Sequence, residues 1–202
     1  MLVLGLTGPS GSGKGAVGCF FAETGIPVLD TDTVYHALID HSTSCTEELK
    51  NAFGDTILTK EGGIDRKRLA SLVFDPTDEK KEKLLLLNKI THRYVLDTCR
   101  LWLKEQEKKG RRASVIDAPL LYESGFDKEC DKVIAVLAPR ETRLARIMLR
   151  DGLTAVAAEA RLSSQASDAF YKEKADFLIQ NDGSLAHLKE KVFEIVEGLD
   201  LR

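Results

Sequence analysis

The sequence is short of the features that would send a chain to a membrane, a nucleic acid or an oxidising compartment. Its longest uninterrupted apolar run, residues 133–138, is Val-Ile-Ala-Val-Leu-Ala, far below the roughly 20 residues that span a bilayer as a helix. Membrane insertion is excluded on that ground. Cys19, Cys45, Cys99 and Cys130 lie far apart with no Cys-x-x-Cys pair, and no charged-then-apolar leader precedes the first apolar segment. That usage predicts a reducing cytoplasm. With 29 basic against 32 acidic residues and a net charge of -3, there is no global drive toward nucleic acid or an anionic surface, and the expected partner is a small molecule. His92 has no second histidine at metal-ligand spacing, so no zinc site is expected. Repeats and low-complexity tracts are also missing, and 202 residues with 43% hydrophobic content suffice for one domain with an inserted subdomain.

What the chain does have begins at its first residues. The strand-length run Leu2-Val3-Leu4-Gly5-Leu6 breaks into Thr7-Gly8-Pro9-Ser10-Gly11-Ser12-Gly13-Lys14, and a helical segment follows over 15–23. Glycines let such a turn curl so that N–H groups face inward, the next helix adds its positive end, and Lys14 reaches β- and γ-phosphates. The spacing Gly8-x-x-x-x-Gly13-Lys14 is that of a phosphate loop, although Gly15 stands where Ser or Thr is usual.

Further along, Gly25-Ile26-Pro27-Val28-Leu29-Asp30-Thr31-Asp32 reads as a turn and a short buried strand ending in acid, with a helix over 33–39. Residues 46–49 and 65–69 read as helix starts, Gly54 as a helix stop, and 79–109 as one long amphipathic helix. Strands return at 113–117 and 132–137, the second apolar enough to be buried on both faces. Helices are expected over 140–149 and 154–167, broken by Asp151-Gly152, then a strand over 175–179, a turn at Asn181-Asp182-Gly183 and a helix over 184–197. The alternation predicts an α/β fold with a parallel sheet interrupted by a helical insertion.

Ligands of open parallel sheets sit beyond the strands' carboxyl ends, which directs attention to the acids there. Asp32 can orient an acceptor hydroxyl or take its proton, and as an alternative can cap the helix over 33–39. Asp117 ends its strand in the manner of a carboxylate that holds magnesium or its waters, or else forms a turn before Pro119. Of the arginines at 140, 143, 146, 150 and 161, Arg146 and Arg150 stand four apart on one helix face and are the pair expected to clamp a transferring phosphoryl group. His92 reads from the pattern as a packed or hydrogen-bonded histidine of the long helix.

Several motifs together resemble the bacterial-type dephospho-coenzyme A kinase family. They are Leu6-Thr7-Gly8-x-x-Gly11-Ser12-Gly13-Lys14, Pro27-Val28-Leu29-Asp30-Thr31-Asp32, Leu87-Asn88-Lys89-Ile90-Thr91-His92 and Asp117-Ala118-Pro119-Leu120-Leu121-Tyr122-Glu123. Arg146 to Gly152, Arg161 to Gln165, and Ala175 to Ile179 followed by Asn181 and Gly183 extend the likeness over nearly the whole chain. The resemblance implies a three-layer P-loop kinase core over 1–32, 113–139 and 173–202, a helical acceptor-binding insertion over 33–112 and a helical lid over 140–172. It implies ATP as phosphate donor, Mg2+, and phosphorylation of the 3′-hydroxyl of dephospho-coenzyme A. In that reading Gly8, Gly11, Ser12, Gly13, Lys14, Gly15 and Ala16 bind the nucleotide phosphates and Asn181 and Gly183 lie near adenine. Asp32, His92, Leu120 and Glu123 serve the acceptor, Asp117 the metal, and Lys14, Asp32, Arg146 and Arg150 catalysis.

Two positions depart from the family's pattern. Gly15-Ala16 replaces the Ser-Thr that usually follows the loop lysine, removing a metal-binding and a phosphate-binding hydroxyl, and Arg93 replaces a proline common after the histidine. The loop itself, with Pro9-Ser10 and Lys14-Gly15, also resembles those of nucleoside-monophosphate kinases. A monophosphate kinase and a nucleotide-binding regulator with weakened catalysis are therefore the alternative readings of the sequence.

Overall fold

A computed structural model describes residues 1–73 and 78–201; residues 74–77 of the expected insertion and Arg202 of the expected core lie outside the described residues. The chain forms two compact units, Met1–Asp30 with Leu103–Arg202, and Thr31–Trp102. The second unit's bounds differ from the 33–112 of the sequence reading because the helix after the second strand starts at once, at Thr31, and because the long helix continues past Trp102 into the first unit.

In the first unit, β1 (Leu2–Thr7), β2 (Val28–Asp30), β3 (Ala113–Asp117), β4 (Lys132–Leu137) and β5 (Phe177–Gln180) form one sheet in the order β2-β3-β1-β4-β5. Every pairing is parallel. Side chains alternate across a strand, so Leu4, Leu6, Val115, Ile134 and Val136 share one face. There they meet Val17 and Phe21 of α1 (Lys14–Glu23) and Leu188, Val192 and Val196 of α9 (Leu185–Gly198) in the main core. On the other face Ala135 and Leu137 pack with Tyr171 of α8 (Asp168–Lys174), and Leu121 presses so closely on Gly5 that a Cβ there would lie 2.7 Å from its Cδ2. Helices on both faces make the three-layer arrangement expected of a buried parallel sheet.

The segment between β4 and β5 is more broken than its sequence suggests. Helix α6 runs Arg140–Asp151 and ends at Gly152, whose left-handed φ of +64° closes it. The helix expected over 154–167 stops at Ser163 as α7 (Ala155–Ser163), and a further short helix, α8, begins only at Asp168. The cause is local hydrogen bonding: Thr154 caps α7 by accepting from Ala157 N–H, and Ser167 caps α8 by accepting from Phe170 N–H, and a serine at such a position competes with a continuing helix.

In the second unit, α2 (Thr31–Ile39), α3 (Ser44–Phe53), α4 (Arg66–Val73) and α5 (Asp78–Lys108) enclose a core of Ile39, Leu49, Ile57, Leu69, Val73, Leu87 and Ile90. Thr43 and Thr46 form a reciprocal cap at the start of α3. Arg93 ion-pairs with Glu48 across to α3, and Tyr94 donates to the same carboxylate at 2.9 Å. Where the resemblance leads one to expect a proline, the arginine keeps a backbone donor in α5 and adds a tie between two helices.

Candidate active site

Register brings the phosphate loop to an acid. Leu6 pairs with Asp117 across β1 and β3, so the carboxylate stands beside the point where β1 gives way to the loop. Lys14, first residue of α1, sends its Nζ back to Asp117 Oδ1 in an ion pair whose side chains are 16% and 8% exposed. Asp30 at the end of β2 is in register with Asp117 on the other side. Three strand ends therefore converge at the carboxyl edge of the sheet.

The loop is held from outside by its carbonyl oxygens. Asn181, just after β5, donates from Nδ2 to Ser12 O at 2.7 Å, and Arg146 of α6 donates from Nη1 to Gly11 O at 3.0 Å and Ser12 O at 3.3 Å. In a trans peptide the C=O and the following N–H point opposite ways, so a Ser12 carbonyl turned toward Asn181 turns the Gly13 N–H away from it. The N–H groups that open α1, ahead of Ala16, whose N–H already donates to Gly13 O at 3.0 Å, add the positive end of a helix start. Only glycine fits two of these places. Gly13 has φ +96° and a Cβ there would fall 2.1 Å from Asn181 Nδ2; Gly11 has φ +78° and a Cβ would fall 2.7 Å from Arg143 O. The result is a concave backbone cradle suited to an anion.

The structure separates the two arginines that the sequence reading paired. Arg146 meets the loop, whereas Arg150 turns to its neighbour Asp151, donating from Nε at 2.7 Å and Nη2 at 2.9 Å, and Arg161 joins the same carboxylate at 2.7 Å. The Arg150 hydrogen bonds hold the Asp151 carboxyl below the usual carboxylate range. Gly15 and Ala16 lie in the first turn of α1, and Gly8, with φ +148°, sits tightly on Val136 O. Gly183 lies in the turn before α9, close to His187. Of the leucine pair after Asp117, Leu121 is fully buried while Leu120 is 48% exposed, and Glu123 is exposed. Asp32 is an exposed residue inside the first turn of α2, not the cap of a helix over 33–39; the helix begins one residue before it. His92 is half-buried on α5. Both belong to the second unit.

Sequence reasoning gave no task to Gln165 or to Arg143. Gln165 contacts Ser10 in the loop. Arg143, only 6% exposed, lies under Gly11 and donates to Asp168 Oδ1 at 3.0 Å. The available signal for Gln165 was the Ser164 and Ser167 pair that interrupts the helix around it.

The Asp117-to-Glu123 turn also buries a hydroxyl. Tyr122 stacks edge-on with Phe170 at 5.2 Å between ring centroids, its ring centroid lies 5.6 Å from Lys174 Nζ, and its OH has no hydrogen-bond partner among the described residues. Burial first, then Asp127, pushes its pKa up to about 12, and burial does the same for Tyr171. A folded-state value above the unfolded one of about 10 means stability is full below pH 10 and falls as pH rises toward 12. Tyr122→Phe removes a buried, unpaired hydroxyl, so it is expected to leave stability at pH 7 unchanged or raised. It should also flatten the loss between pH 10 and 12, as followed by urea unfolding across that range. A destabilised Tyr122→Phe protein at pH 7 would mean that the hydroxyl has a partner.

Comparison with known proteins places this geometry in a family. The family model described as dephospho-CoA kinase matches residues 2–187. The dephospho-CoA kinase of Fusobacterium nucleatum is 40% identical over 98% of this chain and 99% of its own, and that of Oryza sativa is 34% identical over 98% and 85%. Among solved structures, TT1252 from Thermus thermophilus superimposes with a TM-score of 0.80 at 30% identity, covering 98% of this chain and 97% of that one. The dephospho-CoA kinase from Campylobacter jejuni does so with 0.63 at 28%, covering 97% and 96%. Shikimate kinase from Acinetobacter baumannii, at 20% identity and a TM-score of 0.54, shares the fold. The phosphate loop, its lysine–aspartate pair and the match over residues 2–187 agree, and the chain belongs to the dephospho-CoA kinase family.

Proposed function

We propose that this chain transfers the γ-phosphoryl group of ATP to the 3′-hydroxyl of dephospho-coenzyme A, giving coenzyme A and ADP in a cytoplasm that keeps its four free cysteines reduced. The observation that carries the reading is the loop whose outward carbonyls are held by Asn181 and Arg146 while Lys14 and Asp117 meet at adjoining strand ends. Phosphoryl transfer asks mainly for positioning and charge stabilisation, and these groups supply both. Lys14 turns from Asp117 to the β- and γ-phosphates, and Arg146, seated on the loop, is the arginine for the charge on the transferring group. Arg150, tied to Asp151 and Arg161, braces the segment 140–172, which acts as the lid.

The acceptor oxygen forms its bond to γ-phosphorus as the bond to the β,γ-bridging oxygen breaks, and the hydroxyl proton passes to Asp32 in the first turn of α2. The helical insertion and His92 serve the acceptor, as do Leu120 and Glu123 of the first unit; Asn181 and Gly183 flank the adenine. The donor set also fits magnesium. Asp117 offers the hard oxygen that Mg2+ prefers, and the space at Gly15 is open, a Cβ built there meeting nothing within 4 Å. Bound there, the cation would neutralise charge on the β- and γ-phosphates.

The reading is tested by turnover of ATP with dephospho-coenzyme A, and by two substitutions that should part company. Lys14→Ala is expected to lower transfer by about 10³-fold, on the scale of losing a phosphate-clamping cation. Asp32→Asn is expected to lower turnover by about 10²–10⁴-fold, the range for a general base, with ATP affinity nearly intact. Near-normal turnover in folded Lys14→Ala, or equal losses of ATP binding and turnover in Asp32→Asn, would contradict these roles.

A second expectation concerns the missing hydroxyl. Gly15 lies in helical backbone without a left-handed φ, so Gly15→Ser introduces no strain and replaces the poorest non-proline helix former, a gain of about 0.5 kcal/mol. Its hydroxyl should lower the magnesium concentration needed for half-maximal rate at saturating ATP. An unchanged midpoint in a magnesium titration would mean that Asp117 and water already complete the coordination.

A further inference from the structure

The break between α7 and α8 delivers one side chain to the phosphate loop. Ser164 ends α7 and Ser167 caps α8, which leaves Gln165 outside both helices. Its carboxamide meets Ser10 twice: Oε1 accepts from Ser10 N–H at 3.0 Å, and Nε2 donates to Ser10 Oγ at 3.2 Å. One planar amide therefore engages both the backbone and the side chain of a single loop residue. Ser10 lies in the half of the loop that Asn181 and Arg146 do not touch, since those hold the carbonyls of Gly11 and Ser12.

We propose that Gln165 is a positioning residue for ATP, acting through Ser10: it fixes the Pro9-Ser10 half of the loop in the shape the phosphates require. The physical reason is entropic. A glycine-flanked turn without such a hold has to be ordered when the phosphates arrive, and ordering one backbone residue weakens binding by roughly tenfold. Pre-ordering by Gln165 removes that cost from nucleotide binding. Because Gln165 follows directly on α7, whose Leu162 packs against Ile147 of α6, the same two hydrogen bonds link the loop to the α6–α7 pair. By reciprocity, whatever ATP gains from Gln165 the α6–α7 segment gains from ATP.

The inference rests on the ATP reading, so its test separates the two. Calorimetric titration of the wild-type protein with ATP, in the absence of acceptor, comes first; no binding there overturns the functional reading and this inference with it. Gln165→Met keeps the side chain's length and drops both polar contacts. It is expected to raise Kd and KM for ATP by about 5–20-fold, with kcat within about 3-fold and KM for dephospho-coenzyme A unchanged. Ser10→Ala, which loses only the Oγ contact, is expected to weaken ATP by about 2–3-fold in the wild-type background and not at all in Gln165→Met, because the two residues act as one unit. A role in stability alone would lower the melting temperature and leave ATP affinity unmoved, and that outcome overturns the proposal. So do fully multiplicative effects of the two substitutions, or a kcat loss as large as the KM change. Should Gln165→Met fail to fold, Ser10→Ala decides, since unchanged ATP affinity in that protein is equally fatal.

Discussion

A backbone loop can offer its N–H groups to an anion only if its carbonyl oxygens are engaged elsewhere, and this constraint shapes the first unit. The Ser12 carbonyl takes hydrogen bonds from Asn181, which follows β5, and from Arg146 on α6. Two elements far apart in sequence must therefore reach one peptide group. They can do so because β5 lies two strands from β1 in the sheet, which brings the end of β5 within a side chain's length of the loop. The tightness of the fit is paid for in side-chain freedom: Gly11 and Gly13 have no room for a Cβ. Sheet order, glycine placement and loop chemistry are consequences of the same requirement.

The Lys14–Asp117 pair joins the fold to the chemistry. A lysine and an aspartate this deeply buried cannot be left without a partner, because an unpaired buried charge costs several kcal/mol, about 3–5 when one member of such a pair is deleted. In the kinase reading the phosphates of ATP take over as the counter-charge of Lys14, and a cation becomes the counter-charge of Asp117. The exchange keeps every charge compensated. In that reading a carboxylate is wanted at the end of β3, in register with Leu6 near the end of β1.

Much of this was legible in the residues themselves. The five strands, the phosphate loop and the long helix carry strong periodicity and turn chemistry, and the motifs from Gly8 to Gly183 carry the family. The illegible parts depended on side chains meeting across large separations. Nothing in the spacing of Arg146 and Arg150 says that one faces the loop and the other a neighbouring aspartate, because a helix face is set by what packs on it. The break at Ser164–Ser167 lost to a helical pattern on either side, since cap hydrogen bonds are weak signals beside periodicity. Of Leu120 and Leu121, only packing against Gly5 distinguishes the core residue from the exposed one.

The order of strands has a consequence for how the chain reaches its native state. β2 and β3 are neighbours in the sheet, and β3 is also the partner of β1, yet the whole of the second unit lies between β2 and β3 in the chain. Closing a loop that long before any sheet contact rewards it is slow, as it is for any non-local parallel pairing. Helices α2 to α5 have local contacts and a core of their own. If that unit collapses first, the gap that β3 must bridge is shortened, and the inserted unit then works as a splint for the sheet.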